Sequence, residues 1–263
     1  MLNNSLNKKA FFIDIQGTLI DDINKKPING AIDFINTLNK NDILYTVITN
    51  NSRYKSEIFL DLLNKKGFNI KSYLDPFYLL NDLINNKNIA CFGTDDFIQI
   101  MKDLGYIIDY ENPSSTVISI NKDYTNEDYS NMIESTYKSD NLIGMHGTST
   151  YSKNGKRYPG VGSIMNMIKF ATNKNFKIVG KPSLNYYNRA KKQLNLDFDD
   201  ITIISDDMIG DLYEAKKLGM KTILVLSGKI KSKKELSNID YEKLDFVCED
   251  ISEVLTLLNR NII

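Results

Sequence analysis

Four polar side chains in this sequence each stand just past an apolar run: Asp14 after AFFI, Thr49 after ILYTVI, Lys181 after FKIVG and Asp206 after ITIIS. Two carboxylates held close repel and call for a cation between them, and hard oxygen ligands with neither His nor Cys favour Mg²⁺. An ammonium and a hydroxyl, the jobs open to Lys181 and Thr49, would neutralise phosphate oxygens drawn to that metal. A carboxylate with no other task can then attack phosphorus and form an aspartyl-phosphate. Taken singly, each residue has an ordinary explanation as a turn or capping Asp, a strand Thr or a surface Lys. The four together, each at the end of an apolar strand, point to phosphoryl transfer.

Such residues meet only if a sheet brings the strand ends to one edge, and the pattern predicts one. Apolar strands alternate with helical periodicity from end to end, which argues α/β architecture with a mostly parallel sheet and helices on both faces. AFFIDI reads as a buried strand, and INGAIDFINTLNK follows with Ile28, Ala31, Ile32, Ile35 and Leu38 on one helical stripe. ILYTVI, FKIVG, DDITIIS, KTILVLSG and DFVCED supply further core strands. Between Leu83 and Asn175 a second set of strands and helices appears: NIACFG, DDFIQIMKDLGY, STVISI, NEDYSNMIESTY, NLIGM and VGSIMNMIKFATN. The expected division is a core of residues 1–82 and 177–263 with an inserted domain over 83–176, sizes normal for domains.

Composition removes several alternatives. Lys plus Arg and Asp plus Glu both total 33 in 263 residues, so no charge imbalance marks a nucleic acid or anionic membrane as partner. The basic run KIKSKK near Lys229 reads as a solvated loop or helix start. The single His146 leaves no imidazole pair for a metal, and Cys91 and Cys248 form no ligand cluster. No apolar stretch approaches the roughly 20 residues of a membrane span, and the first one breaks at Asp14, too early for a signal-peptide core. These features predict a cytoplasmic protein.

The segments DIQGT, TNN, GKP and SDD, the last followed by Asp211, resemble the four motifs of the haloacid dehalogenase (HAD) superfamily. The likeness is to subfamily IIA, the branch of 4-nitrophenylphosphatases and nucleotide monophosphatases, and extends through PINGAIDFINTL, PGVG and LGMKTILVLSGK. It implies a Rossmann-like core with an inserted α/β cap of the C2 type. Carried over by position, Asp14 would be the nucleophile and a Mg²⁺ ligand. Thr49 and Asn50 would bind the phosphoryl group, and Lys181 would hold nucleophile and phosphate. Asp206 would ligate the metal, with Asp207 and Asp211 in supporting positions.

Gln16 departs from that pattern. Most phosphatases of the superfamily carry Asp two residues after the nucleophile, where it protonates the leaving oxygen and then activates water. Glutamine cannot transfer that proton, yet it retains the backbone carbonyl that this position offers the metal. One consequence is a phosphatase suited to activated leaving groups, and the sequence is also similar to the branch containing phospholysine phosphohistidine inorganic pyrophosphate phosphatase, which lacks this Asp. A second is dehalogenase-like attack on carbon, disfavoured because only about thirty residues separate Thr18 from Thr49, too few for the dehalogenase cap. A third is lost catalysis, leaving a protein that binds or displays a phosphate ligand.

The cap would supply most substrate contacts. His146, Gly147, Thr148 and Ser149 stand where related phosphatases carry a TNPD-like stretch, so His146, Thr148 and Arg157 are candidate substrate residues, while packing at a strand end explains His146 equally simply. Lys156 and Arg157 suit a second anionic group or a solvated loop. The 15 tyrosines show no spacing that marks a nucleotide platform. The expected partners are a small phosphorylated substrate and, through the cap, a second copy of the chain.

Overall fold

The computed structural model describes residues 9–153 and 156–263. In chain order the strands are β1 (Ala10–Asp14), β2 (Leu44–Ile48), β3 (Tyr73–Leu74), β4 (Asn88–Phe92), β5 (Ile107–Ile108), β6 (Ser115–Ile118) and β7 (Asn141–Gly144). They continue with β8 (Thr150–Lys153), β9 (Lys156–Pro159), β10 (Phe176–Ile178), β11 (Ile201–Ser205), β12 (Lys221–Val225) and β13 (Phe246–Cys248). The chain is α/β, and it divides into two units.

The first unit comprises the chain up to Thr49, Leu60–Leu74 and Asn188–Ile263. Its six-stranded sheet runs β13-β12-β11-β1-β2-β3, every pairing parallel. β1 is buried at all five positions, as a central strand covered on both faces must be. The Ala31–Lys40 helix buries Ala31, Phe34, Ile35 and Leu38, the i, i+3, i+4, i+7 stripe counted from its first residue. Phe34 thus takes the place expected for Ile32, and Ile28 precedes the helix. The Ile251–Asn259 helix packs beside it, its N-terminus capped by the Asp250 carboxylate, which accepts from Ser252 N and Glu253 N.

The second unit comprises Asn50–Phe59 and Asp75–Tyr187. Its own parallel sheet runs β10-β7-β6-β4-β5, and β8 and β9 form an antiparallel hairpin. Ala90, Phe92, Ile118 and Leu142 from the sheet bury against Met132, Val161, Ile164, Met165 and Ile168 from the Asn126–Lys138 and Val161–Thr172 helices. Thr125 and Asp128 close a reciprocal capping box at the start of the first of these helices. One expectation is corrected here. The strand in FKIVG does not join the core sheet: Phe176–Ile178 pairs with Leu142–Gly144 in the second. Among the described residues no helix is long and apolar enough to cross a membrane.

Candidate active site

Asp14 closes β1, and Asp206 follows directly on β11, its immediate neighbour, with Ile13 opposite Ile204. From β1 the chain proceeds to β2 on one side, and from β11 to β12 on the other. The carboxyl ends of these two strands therefore flank the point where the sheet changes direction, the place where open α/β sheets bind ligands. Both carboxylates are buried, Asp14 at 7% and Asp206 at 3% exposure. Burial, and next the neighbouring Asp14 carboxylate, push the Asp206 carboxyl well above the usual range. A buried acid whose ionisation a second buried carboxylate opposes makes, with that carboxylate, a fitting seat for a cation, and an all-oxygen donor set suits Mg²⁺. No three His, Cys, Asp or Glu side chains converge among the described residues, so a cation here would rest on two carboxylates plus backbone oxygen.

The turn after β1 is built to let this pair approach. Thr18, Leu19 and Ile20 all donate backbone bonds to the Ile15 carbonyl, at 3.3, 2.8 and 3.0 Å, and Gly17 N donates to Ile20 O at 2.8 Å. Gly17 adopts φ 78°, the left-handed region, and a Cβ there would overlap the Asp206 carboxylate. Gln16 is exposed, while the neighbouring Thr18 hydroxyl is buried with no hydrogen-bond partner among the described residues.

The loop after β11 is tied internally. Ser205 Oγ donates to Asp211 Oδ2 at 2.7 Å and accepts from Asp207 N at 3.1 Å. Asp207 caps the π-helical turn Met208–Leu212 by accepting from Gly210 N at 2.9 Å. Asp211, buried, thus acts on the loop through Ser205. Lys229 reaches the same loop: its backbone N–H donates to Asp206 Oδ2 at 2.7 Å and its ammonium pairs with Asp207. The expectation that the run near Lys229 is merely solvated is corrected by these contacts. Its local sequence carries no apolar period that could have revealed them; the cue lay in the resemblance of LGMKTILVLSGK, which ends at Lys229.

Thr49 is buried at the end of β2, and its N–H donates to Leu74 O at 3.1 Å. In the second unit Asn50 brackets Lys181: its Oδ1 accepts from Lys181 N at 2.8 Å and its Nδ2 lies 3.4 Å from both Lys181 O and Thr148 Oγ1. Asn50, Thr148 and Lys181 are therefore one hydrogen-bonded group, and Gly147 N adds a bond to Lys181 O at 2.9 Å. Lys181 is 2% exposed, which excludes a surface role for it. His146 is buried just past β7, whereas Arg157 stands exposed on β9 opposite Ser152. Asp14, Gln16, Thr49, Asp206, Asp207 and Asp211 thus belong to the first unit, and Asn50, His146, Thr148, Arg157 and Lys181 to the second.

A family profile described as haloacid dehalogenase-like hydrolase matches residues 11–107, and a second, HAD-hydrolase-like, matches 178–254. The chain belongs to the haloacid dehalogenase-like hydrolases. It is 23% identical to the acid sugar phosphatase of Staphylococcus haemolyticus over 262 residues, 97% of this chain and 98% of that protein. It is likewise 23% identical to the phospholysine phosphohistidine inorganic pyrophosphate phosphatase of Danio rerio, covering 96% and 95% of the two. The structure of a p-nitrophenyl phosphatase from Archaeoglobus fulgidus superposes with a TM-score of 0.81 at 21% identity, over 95% of this chain and 98% of that one.

Proposed function

We propose that this hydrolase is a Mg²⁺-dependent phosphatase of small phosphorylated metabolites that works through an aspartyl-phosphate on Asp14. The observation that carries the reading is the pair of buried carboxylates, Asp14 and Asp206, on adjacent strands where the sheet changes direction. When bound, Mg²⁺ would supply charge neutralisation between these acids and the phosphoryl oxygens, held by Asp14, Asp206 and the Gln16 carbonyl. One Asp14 oxygen attacks phosphorus, the bond from phosphorus to the leaving atom breaks, and that atom, an oxygen in esters and pyrophosphate and an already protonated nitrogen in phosphoramidates, departs with the bonding pair. Water then attacks the same phosphorus, releasing phosphate and returning the carboxylate. Thr49, Asn50 and Lys181 bind the phosphoryl group in this reading, with Asn50 also holding the Lys181 backbone. Asp207 and Asp211 order the metal-binding loop.

Gln16 has no proton to give, so leaving groups that depart unaided are favoured: aryl phosphates, pyrophosphate and phosphoramidates. The similarity to a pyrophosphate phosphatase supports that choice, and the similarity to an acid sugar phosphatase makes sugar phosphates the comparison set. Selectivity among them is assigned to the second unit, which we take as the cap, through His146, Thr148 and Arg157. Met167 and Phe170, exposed at 41% and 93% and three residues apart on one helix, together with exposed Tyr137, support a homodimer through that unit. The free, buried Cys91 and Cys248 fit a cytoplasmic setting.

The test is phosphate release by purified protein with Mg²⁺ from 4-nitrophenyl phosphate, pyrophosphate, a phosphoramidate and several sugar and nucleotide phosphates, with Asp14→Asn in parallel. Turnover concentrated on the activated substrates and lost in the variant is the expected result. Binding of Mg²⁺ and phosphate with no turnover on any substrate would replace the enzyme by a phosphate-binding protein.

A further inference from the structure

Resting on the phosphatase reading, we propose that the segment Ser227-Gly228-Lys229 is the positioning element of the cation site, fixing which oxygen of Asp206 is presented to the metal. The Lys229 N–H donates to Asp206 Oδ2 at 2.7 Å, and among the described residues no hydrogen bond engages Oδ1, so Oδ1 is the oxygen offered for ligation. The approach is close enough that a Cβ on Gly228 would overlap the carboxylate, so the glycine is what admits Asp206 to the amide. From the same segment Ser227 Oγ donates to Gly17 O at 2.6 Å, tying the turn that carries the Gln16 carbonyl. The Lys231 ammonium in turn holds Ser227 O at 2.9 Å. One three-residue stretch after β12 thereby sets the carboxylate of one loop and the backbone of the other, the two sources of cation ligands besides Asp14.

The Lys229 side chain does something separate. Its ammonium pairs with Asp207, which caps the following turn, and so fixes the far side of the Asp206 loop. The backbone amide and the side chain can therefore be separated by substitution: alanine keeps the first and removes the second, whereas proline removes both. Groups that orient metal ligands typically contribute about 10- to 100-fold to metal affinity.

The experiment is titration calorimetry of Mg²⁺ into wild type, Lys229→Ala, Lys229→Pro, Gly228→Ala and Ser227→Ala, with folding checked by circular dichroism and melting temperature. Lys229→Pro and Gly228→Ala are expected to raise the Mg²⁺ Kd about 10- to 100-fold and to raise the Mg²⁺ needed for half-maximal turnover by the same factor. The KM for 4-nitrophenyl phosphate at saturating Mg²⁺ should move far less. Lys229→Ala is expected to bind Mg²⁺ at least about fivefold tighter than Lys229→Pro, a difference that loss of the side chain alone cannot produce. If Lys229→Pro does not fold, Gly228→Ala and Ser227→Ala decide. Folded variants with the wild-type Kd, or equal affinities for the alanine and proline variants, overturn this positioning role and leave the phosphatase reading standing. A wild type that binds no Mg²⁺ overturns both.

Discussion

If the proposed reading holds and Gln16 limits turnover to good leaving groups, replacing Gln16 by Asp should broaden the range of phosphate esters hydrolysed. Gln16 lies two residues past Asp14 in a turn held by backbone bonds to Ile15 O and Ile20 O, none of which uses its side chain. It is also exposed, so the new carboxylate carries little desolvation cost and stability should change by no more than about 0.5 kcal/mol. A positioned general acid and base is worth about 10² to 10⁴ in rate, or about 2.7 to 5.4 kcal/mol of barrier at 1.36 kcal/mol per decade. That gain applies where the leaving oxygen needs a proton, as in alkyl esters, and hardly at all to 4-nitrophenolate. The assay is kcat/KM at saturating Mg²⁺ for a series of phosphate esters of graded leaving-group pKa. Wild type should lose rate steeply as that pKa rises, and Gln16→Asp should flatten the dependence by raising the alkyl end. Parallel slopes for the two proteins, with aryl turnover still abolished by Asp14→Asn, would refute the reasoning and place proton transfer elsewhere.

Other perturbations follow from the same geometry. Asp14→Asn should reduce turnover by at least about 10³-fold while leaving the fold intact, checked by phosphate release and circular dichroism. Gly17→Ala combines a left-handed backbone with overlap of the Asp206 carboxylate and should lower stability by about 1–3 kcal/mol, read from the urea midpoint, together with weaker Mg²⁺ binding. Lys181→Ala should impair phosphate binding, raising the inhibition constant of inorganic phosphate about tenfold or more. Asp245 offers a pH test far from the site. Burial opposes its ionisation, but the Lys216 ammonium and the Thr222 N–H and hydroxyl outweigh burial and hold its carboxyl below the ordinary 3.8. Its stabilisation of β12 against the chain entering β13, kept small because the pair is solvent-screened, is therefore present above pH 3.8 and lost as pH falls through the lower folded value. Asp245→Asn should destabilise at neutral pH and lose its effect in acid, as followed by urea midpoints across pH.

The sequence by itself determined the strands, their buried character and the chemistry at their ends. A fully apolar run closed by Asp14, and a mostly apolar one, broken only by Thr202, closed by Ser205 and Asp206, announce themselves because parallel strands buried on both faces read as near-continuous apolar stretches. The Ala31–Lys40 helix was equally legible, although its buried stripe is set by the helix start, which put Phe34 inside in place of Ile32. Gln16, the departure from the resembled motif on which the proposed mechanism turns, is read from the sequence alone. What only the tertiary structure decided is which strands are neighbours and which loops meet. Phe176–Ile178 has the same apolar character whichever sheet it joins, and hydrogen bonding to β7 at long range, with no local signal, assigns it to the second. Lys229 lies in a run of basic and polar residues with no periodicity, so local pattern reads it as solvated. Its backbone N–H reaches Asp206 because β12 pairs with β11 and delivers both loops to the same edge of the sheet, a juxtaposition created by strand order across 23 residues of sequence.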